Sequence, residues 1–400
     1  MKIDRKAKHI LAVAGGKGGV GKSVFSITLA TLLAGMDNSV CLVDLDLGGA
    51  NLHTYLGIMG KTMSLAHFFQ KKVKTLQDVV VETRIKNLSL ISGVHYLPSM
   101  SNPASAVKIK LLRHIRALDV DFVIIDLGAG MDLSTMDFFI NSDKGFIVTV
   151  PEPGAVMNAY RFIKGALFRK LHGVFKNHVE LGPVIESMAE TSTYDDSLML
   201  NWFIEKVLKT DPEVYPLVME VSESFEPFLV LNRVGRQESN RLVSSLLNHC
   251  FTKYGVKLKY VGNIPDAREI SAYLLDIPSF LQAKSGAPFH SAFKSITRTF
   301  LLDFHDSKVI TERLKMRAEY DDHDIDELSN IIERQTADIF TGSSKKLWKL
   351  RLFFKPLDVV RYLISKGVKE EIFFEVKHGT FSRKSDTKEG KPQSPYAGSQ

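Results

Sequence analysis

Cysteine is scarce in this sequence: Cys41 and Cys250, far apart, are the only two. That excludes a disulfide framework and every CxxC metal or redox signature. Tryptophan is as rare, with Trp202 and Trp348, both read as packing residues. No apolar run approaches the roughly 18–20 residues needed to span a bilayer. The opening stretch, MKIDRKAKHILAVAGG, turns glycine-rich too soon for a signal peptide and has no small-residue cleavage site. His53, His114 and His290 have no ligand-spaced partners, so packing rather than metal binding is expected of them. Net charge is also missing from most of the chain. The formal +7 is matched by the segment from Thr341 to Pro392, which holds 13 Lys or Arg against 6 Asp or Glu, so the remainder is neutral. A cytoplasmic protein is expected, with its basic excess confined to a tail that would be drawn to an anionic surface, unless it is only solvated and partly disordered.

What is present is ordinary globular composition, 44% hydrophobic and 24% charged. At 400 residues one large core plus an appended module is expected. Up to about Ile270, short β-branched runs alternate with longer helical ones, the pattern of a mainly parallel twisted sheet with crossover helices. Strands are predicted at His9–Ala14, Val40–Asp44, Leu88–Ile91, Phe122–Asp126, Gly145–Val150, Phe228–Asn232 and Leu258–Gly262. Most are continuously apolar, as strands covered on both faces should be. Helices are predicted at Lys22–Ala34, Ser105–Ala117 and Ala155–Leu171. The link from Asn177 to Pro227, about residues 177–227, carries an amphipathic helix at Ser197–Leu208 and reads as a helical insertion on the sheet's edge or face. An α/β domain over residues 1–300 is therefore expected. A partly helical C-terminal extension would follow at 301–378, with helices near Glu319–Glu333 and Leu357–Lys366 and a strand-like Ile372–Val376. Residues 379–400, rich in Ser, Lys, Gly and Pro, read as a disordered tail.

The run ILAVA leads into Gly16-Lys17-Gly18-Gly19-Val20-Gly21-Lys22-Ser23 and then a helix, matching GxxxxGK[ST] in its strand–loop–helix context. Glycines let backbone N–H groups turn inward around phosphate oxygens, and the following helix N-terminus adds its positive end. Lys22 would reach the β and γ phosphates and the Ser23 hydroxyl would ligate Mg²⁺. Two carboxylates, Asp44 and Asp46, stand at the end of the next predicted strand, on the side where a parallel sheet binds its ligands. Phe122-Val123-Ile124-Ile125-Asp126 is an apolar strand ending in an acid suited to hold Mg²⁺ through water, and Leu127-Gly128-Ala129-Gly130 follows it.

GGKGGVGKS, with its extra lysine, resembles the deviant Walker A loop of the MinD/ParA family of P-loop ATPases. VDLDLGGAN and DLGAG resemble that family's two switches, and Pro151-Glu152-Pro153 its PEP–helix segment. The resemblance covers roughly residues 8–300 and implies ATP and Mg²⁺ as ligands. It also implies an ATP-dependent homodimer in which Lys17 reaches the partner's phosphates. Asp44 becomes the metal-side acid and Asp46 the one that positions or activates the attacking water. Gly128 and Gly130 would offer N–H groups to the γ-phosphate. Leu231-Asn232-Arg233 resembles the base-recognition site, where an Asn amide can pair with both N6 and N7 of adenine, although Asn after a strand is also a common turn residue. Gly262-Asn263-Ile264-Pro265-Asp266 resembles the loop closing the base pocket. The DLGAG, PEP and Asn51-Leu52 segments resemble the flagellar-number regulators FlhG and FleN. The chain departs from them in lacking, before its first strand, the extension with their activator-binding DQA motif, and in carrying the 177–227 insertion.

A switch that positions or counts a cellular structure, such as flagella or a division site, is the function the resemblance implies, with slow hydrolysis stimulated by an unknown protein partner. A DNA-associated partition ATPase is the alternative, though it needs a basic ATPase face and this domain is near neutral. Iron–sulfur scaffold relatives need paired cysteines near the dimer axis. Cys41 in a strand and Cys250 in a helical segment read instead as small buried hydrophobes. A tyrosine-kinase relative would want a C-terminal tyrosine cluster, and the final tail has only Tyr396. Within residues 344–366, Ser344–Lys355 combines five cations with an aromatic apolar set. That composition suits an amphipathic helix sitting reversibly on the inner face of the cell membrane. Its period-two alternation at Trp348, Leu350, Leu352 and Phe354 suits an extended segment packed on the domain, and partner contact is the third reading.

Overall fold

The computed structural model describes residues 9–46, 49–60, 62–93, 105–190, 199–235, 239–283 and 287–317. The β-branched and leucine-rich runs become eight strands: β1 (His9–Ala14), β2 (Val40–Leu45), β3 (Val81–Glu82), β4 (Leu88–Ile91), β5 (Phe122–Leu127), β6 (Lys144–Thr149), β7 (Phe228–Val234) and β8 (Lys259–Pro265). They form one sheet in the order β3-β4-β2-β5-β1-β6-β7-β8. Every neighbouring pair is parallel except β3–β4. The α/β reading holds. The antiparallel edge strand β3 was not foreseen, because two residues are too few to show any periodicity.

The helices are α1 (Lys22–Ala34), α2 (Leu52–Tyr55), α3 (Leu65–Phe69), α4 (Ser105–Arg116), α5 (Leu133–Ile140), α6 (Pro153–Phe175), α7 (Leu181–Glu190), α8 (Met199–Thr210), α9 (Tyr215–Glu223), α10 (Ser239–Tyr254), α11 (Ile277–Ala283) and α12 (Pro288–Arg317). Successive strand residues point to opposite faces, so the sheet feeds two cores. Ile10, Val123, Ile125 and Ile147 pack with α4–α10 on one side. Leu11, Val13, Ile124, Phe146 and Val148 pack with α1, α11 and α12 on the other, where Phe25, Phe293 and Phe300 are fully buried.

The helices of the insertion lie over a face of the sheet, on the α6 side. Leu181, Ile185, Phe203, Val207, Val218 and Val221 are buried in the same core as Phe162 and Leu167 of α6. Trp202, expected to be packed, is half exposed on α8. The domain boundary expected at residue 300 falls inside α12, and the first compact unit runs to Glu312. The second unit is Arg313–Gln400. The readings made for Glu319–Glu333, for residues 344–366 and for the rest of the C-terminus lie outside the described residues. No helix among the described residues is long and apolar enough to cross a membrane.

Candidate functional site

The glycine loop bridges the end of β1 and the start of α1, at the sheet's carboxyl edge and flanked by β5 and β6. Two of its glycines are dictated by their surroundings. Gly21 has φ 95°, a left-handed conformation that a side chain strains, and its carbonyl accepts the Phe25 N–H at 2.9 Å to start α1. Gly16 lies against α6, where an added Cβ would meet the Asn158 carbonyl oxygen at 2.2 Å. No side chain caps α1 and its first turn has no acid, so its leading N–H groups and positive end face the loop. Lys22, the first residue of that helix, is 7% exposed.

The carboxylates come together through the sheet register. Asp44 on β2 and Asp126 on β5 are direct partners in the parallel ladder, and both are buried. Asp44 accepts the Leu52 N–H at 3.1 Å and the Asp46 N–H at 3.2 Å, which holds the chain leaving β2. Burial, then the neighbouring Asp126 charge, pushes its carboxyl well above the usual range. Asp126 is pushed up to about 6 by burial, against the pull of the Ser23 and Ser26 hydroxyls and the Lys22 ammonium. The Ser26 hydroxyl donates to it at 2.9 Å. Asp46 is half-buried beyond the strand end, and a Cβ added at Gly128 would stand 3.5 Å from its Oδ1, so the segments that follow β2 and β5 touch. Ser26 was missed in the sequence reading. It stands three residues after Ser23 on the same helical face, a spacing that would have found it.

Lys17 pairs with Glu152 of the same chain at 3.0 Å, with both side chains about half exposed. Gly18 and Gly19 are in the exposed part of the loop, Val20 is buried, and Gly130 takes φ 114° after β5. Asn232, two residues before the end of β7, donates to the Val20 carbonyl at 2.8 Å and accepts the Arg233 N–H at 2.9 Å. Its amide therefore touches the phosphate loop. Arg233 is exposed with φ 55°. Pro265 ends β8, and Asp266 beyond it pairs with Arg268 at 3.2 Å.

The two cysteines are buried, and burial raises each thiol to about 12, so neither offers a thiolate at neutral pH. His114 stacks edge-on against Phe68 at 4.8 Å, a packing role as expected. Among the described residues no group of three or more His, Cys, Asp or Glu is placed to hold a metal ion. Magnesium asks for less, because it keeps several waters and takes one or two carboxylates alongside substrate phosphates.

A glycine loop between a central parallel strand and a helix, facing acids on two neighbouring strands, defines a P-loop NTPase. The family model for ParA, described as NUBPL iron-transfer P-loop NTPase, matches residues 6–210, just over half of the chain. The chain belongs to the ParA family of P-loop NTPases. It is similar to the antiactivator FleN of Pseudomonas aeruginosa, 32% identical over 182 residues, covering 43% of this chain and 60% of FleN. It is also similar to the septum site-determining protein MinD of Bacillus subtilis, 32% identical over 154 residues, covering 38% of this chain and 57% of MinD. The flagellum site-determining protein YlxH of Helicobacter pylori is 35% identical over 158 residues, covering 38% of this chain and 52% of YlxH. The matches thus span little more than half the length of these relatives. Among solved structures, the MinD of Pyrococcus horikoshii complexed with Mg-ADP is 18% identical with a TM-score of 0.48, covering 73% of this chain and 95% of that one.

Proposed function

We propose that this chain is an ATP-dependent switch that controls the position or number of a cellular structure, binding Mg·ATP, dimerising in that state and hydrolysing it slowly. The observation that carries the reading is the pairing of Asp44 and Asp126 across the ladder, beside the Ser23 and Ser26 hydroxyls and the buried Lys22. Two acids crowded into a dry pocket at a phosphate loop favour a divalent cation. The relatives' names, which concern flagellar and septal sites, supply the cellular side of the proposal.

Each residue has a defined task. The loop N–H groups from Gly16 to Gly21 and the N-terminus of α1 hold phosphate oxygens, and Lys22 neutralises the β and γ groups. The Ser23 hydroxyl and the Asp126 and Asp44 carboxylates would hold Mg²⁺, which would supply charge neutralisation at the phosphates. Asp46 accepts hydrogen bonds from the water in line with the γ-phosphate, and Gly128 and Gly130 present N–H groups to that phosphate. Lys17 serves the phosphates of a second copy. The Asn232 amide, with Arg233, Pro265 and Asp266, borders the adenine. A protein partner accelerates hydrolysis and resets the switch. The domain that does this is the first compact unit, which runs to Glu312, and the C-terminal extension carries attachment, with residues 344–366 touching an anionic membrane surface.

Isothermal titration with Mg·ATP tests the core of this reading: Lys22→Ala should lose the binding and keep the fold, and undiminished affinity would refute it. Sedimentation with anionic liposomes tests the attachment. ATP-bound full-length protein should pellet, and ADP-bound protein or a chain ending at Gly342 should not. Equal pelleting in all cases, or none, would reject it.

A further inference from the structure

Asn232 and the phosphate loop are 212 residues apart in the chain and in direct contact in the fold. We propose that Asn232 is a positioning residue of the phosphate loop, its side-chain amide tying the end of β7 to the Val20 carbonyl and so setting the turn that presents Gly21 and Lys22. The inference rests on the nucleotide reading above and deepens it.

Three features build the contact. The first is the accounting of loop carbonyls. A loop whose N–H groups turn inward towards an anion turns carbonyls the other way, and each buried one needs a donor. The Gly21 carbonyl is used by Phe25 N–H in α1, and the Val20 carbonyl takes the Asn232 Nδ2 at 2.8 Å. Val20 is 2% exposed and Asn232 8%, so water competes little for either group.

The second feature is the way the amide is aimed. The β7–β8 ladder shifts register between Leu231 and Val234, and Arg233 takes the left-handed φ of 55°. Irregularities of this kind turn a side chain away from its regular direction. The Asn232 Oδ1 accepts the Arg233 N–H at 2.9 Å, which locks the amide's orientation and leaves its NH₂ facing the loop. The third feature is the glycine opposite. A Cβ on Gly21 would lie 2.3 Å from Nδ2, so the strut and the glycine are shaped to one another.

A carboxamide has two N–H donors and two oxygen lone pairs. One donor and one lone pair are committed here, and the others remain for a base. Loop positioning and adenine reading are therefore separable by experiment. The probe is inorganic tripolyphosphate with Mg²⁺, which fills a phosphate loop and has no base. Binding of tripolyphosphate, ATP and GTP would be compared for the wild type, Asn232→Ala and Asn232→Asp. The Asp variant keeps the shape and the acceptor but has no donor for the Val20 carbonyl, and it serves if the Ala variant does not fold. Both variants should weaken tripolyphosphate about tenfold and ATP by at least as much, because the loop contact is lost whether or not a base is present. Unaltered tripolyphosphate binding with a collapsed ATP-to-GTP preference would overturn the proposal and leave Asn232 as a base reader alone. Wild-type protein that binds none of the three would overturn the nucleotide reading itself, and this inference with it.

Discussion

Lys17 Nζ stands 3.0 Å from Glu152 Oε2, so the second lysine of the glycine loop is paired within its own chain. Both side chains are about half exposed, and exposed pairs contribute at most about 1 kcal/mol. Such a contact would open readily if, as proposed, the phosphates of a second copy approached. Glu152→Ala should therefore shift the free energy of unfolding by less than about 1 kcal/mol. Lys17→Ala should bind ATP and remain monomeric in light scattering. A Lys17→Ala protein that dimerises normally would remove the lysine from the interface.

Asp46 differs from the other two acids in lying beyond the strand end, half-buried beside Gly128. In the proposed function its carboxylate serves the attacking water rather than the nucleotide. Asp46→Ala should bind Mg·ATP, lose most of its phosphate release, by a factor of roughly 10²–10⁴, and accumulate as a dimer. Hydrolysis at the wild-type rate would assign the water to another residue.

The pH dependence of stability follows from Asp126. Its carboxyl moves from 3.8 to about 6 on folding, so between those values the folded state holds more protons than the unfolded one. Stability therefore falls as pH rises through that window, by about 3 kcal/mol once complete. The raised Asp44 carboxyl acts in the same direction. Asp126→Asn cannot ionise and should stabilise the nucleotide-free protein at about pH 8 far more than at about pH 5. Urea melts at both values check this, and a gap independent of pH would contradict it.

The insertion is part of the core. Phe203 of α8 is fully buried in the cluster that holds Phe162 and Leu167 of α6. Phe203→Ala should cost about 3–5 kcal/mol and lower the midpoint of a single unfolding transition. Loss of α8 signal in a separate, earlier transition would show the insertion to be an independent unit.

The sheet was legible in the sequence because its strands are covered on both faces and so read as continuous apolar runs. Every predicted strand overlaps an observed one, with ends within two residues except at β8, which runs three residues further, to Pro265. β3 escaped because it is an antiparallel edge of two residues. The glycine loop and its acids were legible as local patterns, Asp44, Asp46 and Asp126 each marking the end of an apolar run. Their burial and mutual crowding were not, since the Asp44–Asp126 pairing depends on which strands become neighbours. Asn232 shows the same limit. Its resemblance to a base-reading motif was visible, and its bond to Val20 depended on a register shift and a left-handed Arg233 that no pattern announces. The face taken by the insertion was open in the sequence for a similar reason, because a helix's apolar stripe says that it packs and not on what.

Gly16 rests against the backbone of α6 at Asn158, near one end of a helix of 23 residues. Such a helix is a rod of about 34 Å, and its far end, around Leu171 and Phe175, sits in the core with Leu181 and Ile185 of α7. Backbone against backbone leaves no soft side chain to absorb a displacement. The arm from Asn158 to Phe175 is about 26 Å, so a tilt of about 5° at the loop would carry the far end, and the helices packed on it, by about 2 Å.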